Sequence, residues 1–269
     1  MADQPLEYLT EPSLSFGTGQ HLESPKDGLF MFGPLARDLV PGDVRYGVVG
    51  TEAGLKLFRE WIKSVRSFVP ALASESAQHR PFPGFAEVFG VGLPESPLAA
   101  LVVKDEEIDT ALMIADRHLA VYRTVEVYAS RIARYMAEEE QTVAVWFVVV
   151  PERIYTFGRP QSVIPLQLRR KSEVLVDSKM AKSIARTPSL FEEDNVAAEP
   201  YLYEVNFHNQ LKARLLEGPN RAVVQVVRET AIAPESFLTS DGRPIRRVQD
   251  AATIAWNLCT TTYFKAVGR

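Results

Sequence analysis

The stretch VVVPERIYTFGRPQ (Val148–Gln161) sets Tyr155 and Arg159 four residues apart, directly after the most apolar run of the chain. An aromatic ring can stack on a nucleic-acid base while an arginine fork holds a phosphate. Two further residues could join such chemistry. Gln225, inside the apolar run AVVQVV, carries an amide able to face a core or to reach out of a sheet. Lys265 lies near the end of the closing stretch ATIAWNLCTTTYFKAVGR, where a lysine either compensates a helix dipole or binds a phosphate. By pattern alone a Tyr-x-x-x-Arg spacing also fits a surface turn.

Other constellations carry less. GVVGTEAGLK (Gly47–Lys56) places glycines between a strand and a helix, where phosphates often sit on a helix N-terminus. It has neither the G-x-G-x-x-G spacing nor the Gly-Lys-Ser/Thr of a P-loop, so it reads as a tight turn or as the phosphate turn of a Rossmann-type nucleotide-binding enzyme. His21, His79, His118 and His208 are scattered without metal-ligand spacing, and no G-x-S-x-G elbow is present. Glu173, Asp177 and Lys179 are the residue types of a metal-dependent nuclease, but they stand in a polar stretch that reads as a solvated loop. No catalytic or metal-binding residue is therefore assigned.

These residues need a frame to position them. VRYGVVG (Val44–Gly50) predicts a buried strand. The stretch after it predicts a helix capped by Thr51, with Leu55, Phe58, Trp61, Ile62, Val65 and Phe68 on one face. FPGFAEVFGV and PLAALVVK predict two more strands, Asp105–Glu140 a long helix broken near Asp116, and TVAVWFVVVP the strongest strand. Residues 160–200 read as a long loop or insertion. A helix ending at Gly218, a strand over RAVVQVVRE and a last helix from Asp250 to Gly268 complete the chain, with Ile254, Leu258 and Phe264 on the buried side of that last helix. Alternating strands and helices imply an α/β fold: a Rossmann-like layer sandwich with a mostly parallel central sheet and helices on both faces. Residues 1–43 read as an irregular leader with exposed Phe16, Leu29, Phe30 and Phe32, and 44–269 as the domain.

Bulk properties bound the partners. The 269 residues carry a formal charge of −4. Residues 1–150 hold 13 Lys and Arg against 21 Asp and Glu, whereas 151–269 hold 17 against 13, so an anionic partner should meet the second half. The single cysteine, Cys259, excludes an intramolecular disulfide and points to a reducing, cytoplasmic setting. The N-terminus has no basic n-region, and the longest apolar run, VAVWFVVV, is too short to span a bilayer, so no membrane partner is expected.

Three stretches carry a resemblance: EPSLSFGTG with SPKDGLFMFGP, WFVVVPERIYTFGR, and WNLCTTTYFKAVGR. Together they resemble the MID domain of Argonaute proteins, in particular the short prokaryotic Argonautes built of MID and PIWI domains. The resemblance implies a non-catalytic module that binds the 5′-phosphate of a guide RNA or DNA strand in prokaryotic defence. Tyr155 would stack on the first base and touch the phosphate. Arg159 would stand at a lysine position, Gln225 would donate an amide hydrogen bond, and Lys265 would supply a point charge; Arg153 or the run Arg169, Arg170 and Lys171 could replace Arg159. The implied partners are the guide and its target, a PIWI domain or separate PIWI subunit, and an associated effector protein. No cofactor is implied, although some members hold a divalent cation at the guide 5′ end. The chain is expected to stop at the MID–PIWI boundary, as a separated domain, a truncated gene product or one half of a split protein.

Overall fold

The computed structural model describes residues 12–35, 42–71, 79–171, 176, 178–217, 221–239, 241–245 and 249–267. The expected helix-closing glycines Gly218 and Gly268, and Glu173 and Asp177, lie outside the described residues. In chain order the elements are β1 (Leu14–Ser15), β2 (His21–Leu22), α1 (Pro25–Phe32), β3 (Tyr46–Gly50), α2 (Glu52–Val65), α3 (Phe85–Phe89), β4 (Ala99–Val102), α4 (Asp105–Leu112), α5 (Arg117–Glu138), β5 (Val145–Val150), α6 (Glu152–Phe157), α7 (Ser178–Arg186), α8 (Glu192–Ala198), α9 (Phe207–Glu217), β6 (Val224–Arg228), α10 (Glu229–Ile232) and α11 (Ala251–Val267). The contacts of the chain divide it into two units: a sheet unit of Arg45–Lys63 and Glu95–Gln249, and a second unit of Met1–Val44, Ser64–Pro94 and Asp250–Arg269.

The sheet unit holds four parallel strands in the order β4-β3-β5-β6, flanked by helices, as the alternating pattern predicts. A parallel sheet is covered on both faces, so its central strand has no polar side to show. All six residues of β5 are buried accordingly. On one face Trp146, Val148 and Val150 pack with Val121, Val125 and Tyr128 of α5 and Leu211 of α9. On the other, Phe147 meets Phe58 of α2 at 4.8 Å between ring centroids and Tyr46 at 5.5 Å. Gly47 is required by this packing: a Cβ there would stand 2.6 Å from the Trp146 ring. α2 starts as predicted, with the Thr51 hydroxyl accepting from the Gly54 N–H at 3.0 Å.

Some expectations are corrected. FPGFAEVFGV forms no strand; Phe85–Phe89 is a short helix ended by left-handed Gly90. A short apolar run bounded by glycines has no period to separate strand from helix, and three-dimensional packing decides it. Phe68 lies beyond α2 and is exposed. The chain between 160 and 200 is not one long loop but carries α7 and α8, and Lys179 sits on the first of them rather than on a strand. The break before α5 falls where expected, with Asp116 accepting from the Leu119 N–H at 3.1 Å.

In the second unit, the Asp250 carboxylate accepts from the Thr253 N–H at 2.6 Å and starts α11, as predicted. The buried face of α11 differs from expectation. It is Ala252, Ala255, Trp256, Cys259 and Tyr263, while Phe264 is exposed. Aromatic partners choose it: Phe82 packs edge-on to Trp256 at 5.1 Å, and Phe89 stacks on Tyr263 at 4.7 Å. Phe16 and Leu29, expected to be exposed, are buried.

Truncating Phe147 to Ala should cost about 3–5 kcal/mol, because the cavity would open within a cluster of four aromatic rings at the sheet centre. Urea denaturation followed by circular dichroism measures it.

Candidate functional site

Strands β3, β4, β5 and β6 all end at one edge of the sheet. The chain leaves β3 toward β4 and returns across it to β5, so the topological switch point lies between β3 and β5. In open α/β sheets, ligands bind outside the carboxyl ends at such a point. Two constellations stand at this edge.

The first follows β5. Pro151 leads into α6, and Gly158 ends that helix with its N–H donated to Ile154 O at 2.7 Å. Arg117 supports the end of α6 from the start of α5 by donating to the Phe157 carbonyl. Pro160 prevents the helix from continuing, and a turn takes over: Ser162 N donates to Arg159 O, and Arg159 N to the Ser162 hydroxyl, both at 3.2 Å. Arg159 is therefore outside the helix, yet its guanidinium returns over the Tyr155 ring, 4.4 Å from the centroid. A second guanidinium lies closer. Arg228, at the end of β6 and in register with Val150, is 3.6 Å from the same centroid. Glu152 holds it through Nη2 at 2.7 and 2.9 Å and Nε at 3.3 Å, and Thr230 donates to the same carboxylate at 2.6 Å. Tyr155 retains 37% of its surface.

The second constellation joins Thr51, after β3, and Glu229, the first residue of α10 after β6. Glu229, 5% exposed, accepts from the Thr51 hydroxyl at 3.2 Å. A Cβ on Gly54 would meet Glu229 Oε1 at 2.6 Å. The first turn of α2 thus has a carboxylate beside it, whose charge disfavours a nucleotide phosphate there. Burial pushes the Glu229 carboxyl above its ordinary value, with the Thr51 hydrogen bond and the charge of Arg153 opposing. The fully buried Tyr128 hydroxyl has no hydrogen-bond partner among the described residues, and burial, then the charge of Glu229, raise its pKa.

The sequence-predicted residues are distributed unevenly. Tyr155 and Arg159 are brought together. Gln225 is half-buried in β6 opposite Phe147, three residues before Arg228 and on the other face of the strand. That places it roughly 10 Å back from the edge at about 3.3 Å per residue. Lys265 belongs to the last turn of α11 in the second unit. Arg153 is committed to Asp105 and Asp109. Arg170 donates to the Thr110 hydroxyl at 3.3 Å and, with Lys171, lines a groove of about 1190 Å³ whose walls include Tyr122, Val127, Val196 and Tyr201. Arg228, which sequence reasoning passed over, was signalled only by its place as the first charged residue after an apolar strand.

Among the described residues no group of three His, Cys, Asp or Glu side chains is placed to hold a metal ion. Glu152 is taken by Arg228, so these residues do not furnish a cation site by themselves. No helix among the described residues is long and apolar enough to cross a membrane.

Glu229→Gln keeps an acceptor for Thr51 and removes the titration. A raised native pKa means the folded state holds its proton more tightly than the unfolded chain, so stability is lost as pH rises through the native value. The variant should gain thermal stability over the wild type near neutral pH, and the gain should vanish below the ordinary carboxyl value of 4.5; melting curves across that range measure it.

Neither the protein-family models nor the curated proteins compared with this chain give a match.

Proposed function

We propose that this chain is the guide-binding module of a prokaryotic Argonaute system, anchoring the 5′-phosphate of a small RNA or DNA strand and performing no chemistry itself. One observation carries the reading: a partly exposed Tyr155 stands at the carboxyl edge of a parallel sheet with the guanidinium of Arg159 over its ring. Among the described residues that guanidinium has no hydrogen bond or ion pair, so its full donor set is open to an oxyanion. The element order and the resemblance of three sequence stretches to MID domains support the same reading. A PIWI domain or subunit, the target strand and an effector protein are the partners it entails.

The rival reading, a nucleotide-binding enzyme using Gly47–Gly54, is weaker because Glu229 fills the space beside Gly54. An incoming phosphate would have to displace that carboxylate from the Thr51 hydroxyl.

The test is a titration of one short single strand carrying a 5′-phosphate or a 5′-hydroxyl, as RNA and as DNA, at two salt concentrations. The phosphorylated strand should bind more tightly, and more so at low salt. Arg159→Ala should weaken its binding by about 1.5–3 kcal/mol, the worth of hydrogen bonds to a charged group. Equal binding of both forms by the folded wild type would remove the proposal.

A further inference from the structure

The carboxyl edge of β5 and β6 carries more than a tyrosine and an arginine. The guanidinium carbons of Arg228 and Arg159 lie 3.6 and 4.4 Å from one ring centroid. Mutual repulsion of the two cations and the bulk of two planar guanidiniums favour one on each face of Tyr155, with the ring as a spacer between them.

The donors of the two arginines are used differently. Arg228 spends Nε and Nη2 on Glu152, which anchors the guanidinium beside the ring, and its Nη1 has no acceptor among the described residues. Arg159 has every guanidinium donor open. A tetrahedral oxyanion at the rim of the ring would meet Nη1 of a held arginine and the fork of a swinging one. Such a pair matches the several terminal oxygens of a phosphate monoester better than one lysine would.

We propose that Arg228, Tyr155 and Arg159 form one stacked anion-binding element, and that the site holds the 5′-phosphate without stacking the first base on Tyr155. This rests on the guide-binding reading and deepens it: the end of the strand is recognised as a phosphate monoester of any first nucleotide. Arg228 is the second phosphate ligand, and Glu152 is the positioning residue that holds it.

The experiment uses the full chain and a labelled short single strand in three forms: 5′-phosphate with a normal first nucleotide, 5′-phosphate with an abasic first nucleotide, and 5′-hydroxyl. The normal and abasic phosphorylated strands should bind within about twofold of each other, since no base–aromatic stack is lost. Arg228→Gln should weaken binding of both phosphorylated strands about tenfold or more, and leave the 5′-hydroxyl strand nearly unaffected. If that variant does not fold by circular dichroism, Arg228→Lys is read instead; it keeps the charge, loses the fork and the stack, and should shift the phosphate preference in the same direction. A loss of at least about fivefold for the abasic strand would show a stacked first base and overturn the proposal while leaving the guide-binding reading in place. A folded Arg228 variant with unchanged phosphate preference would overturn it likewise. Absence of any phosphate preference in the wild type would remove both.

Discussion

The six residues of β5 are buried on both sides of the sheet, and that burial constrains everything near the site. Trp146 and Phe147, adjacent in sequence, project to opposite faces and each organises a different helix layer. A strand with no face toward water can admit chemistry only at its ends. The polar residues that follow it are therefore the first ones able to meet a ligand, and Glu152 and Tyr155 are among them. The neighbouring strand obeys the same rule. β6 runs parallel in register with β5, so Arg228 emerges beside Val150 and falls onto Glu152 and Tyr155 without a loop to carry it there. A site built on two strand ends is better fixed than one built on a loop, and Arg228 accordingly makes a bidentate ion pair with Glu152, Nη2 to Oε1 at 2.7 Å and Nε to Oε2 at 3.3 Å.

Charge at this edge is nearly balanced. Arg153 is held by Asp105 and Asp109, and Arg228 by Glu152. Arg153 and Arg228 are thus neutralised where the strands end, whereas Arg159 has no carboxylate partner among the described residues. Pairing of this kind contributes little net stability at partly exposed positions, but it fixes direction. For anion binding, direction matters more than the count of arginines, because a fork aimed at the ligand gains its hydrogen bonds without a further ordering cost.

The sequence was most legible where local physics decides alone. The apolar run of β5, the caps at Thr51 and Asp250 and the break at Asp116 all depend on neighbours within a few residues, and each stands as expected. It was least legible where distant residues decide. The segment around Phe85 has apolar content but no distinguishing period, and aromatic partners from α11 complete its surroundings. The same partners turn Trp256 and Tyr263 inward rather than Ile254 and Phe264. Tyr155 and Arg159 were legible as a pair because they are four residues apart. Arg228 was not, since its closeness to Tyr155 follows from strand order and register, which a single sequence does not contain. Gln225 illustrates the reverse: its amide chemistry was plain, but the register with Phe147 sets it well before the strand end.

The edge of the sheet is in effect divided in two. At the end of β3, the buried Glu229 carboxylate at the start of α10 stands beside the first turn of α2 and accepts from the Thr51 hydroxyl, which disfavours a second anion there. Beyond the end of β5, two guanidiniums gather at the Tyr155 ring, that of Arg159 from the turn after α6 and that of Arg228 from β6. Both arrangements involve consecutive residues: Arg228 closes β6 and reaches Tyr155, while Glu229 opens α10 and reaches Thr51. On the proposed reading, these two neighbouring residues disfavour an anion at one end of the sheet edge and equip the other end to take a phosphate. On that reading, the order of the two residues, basic then acidic, separates a crevice at β3 closed to anions from a phosphate site at β5.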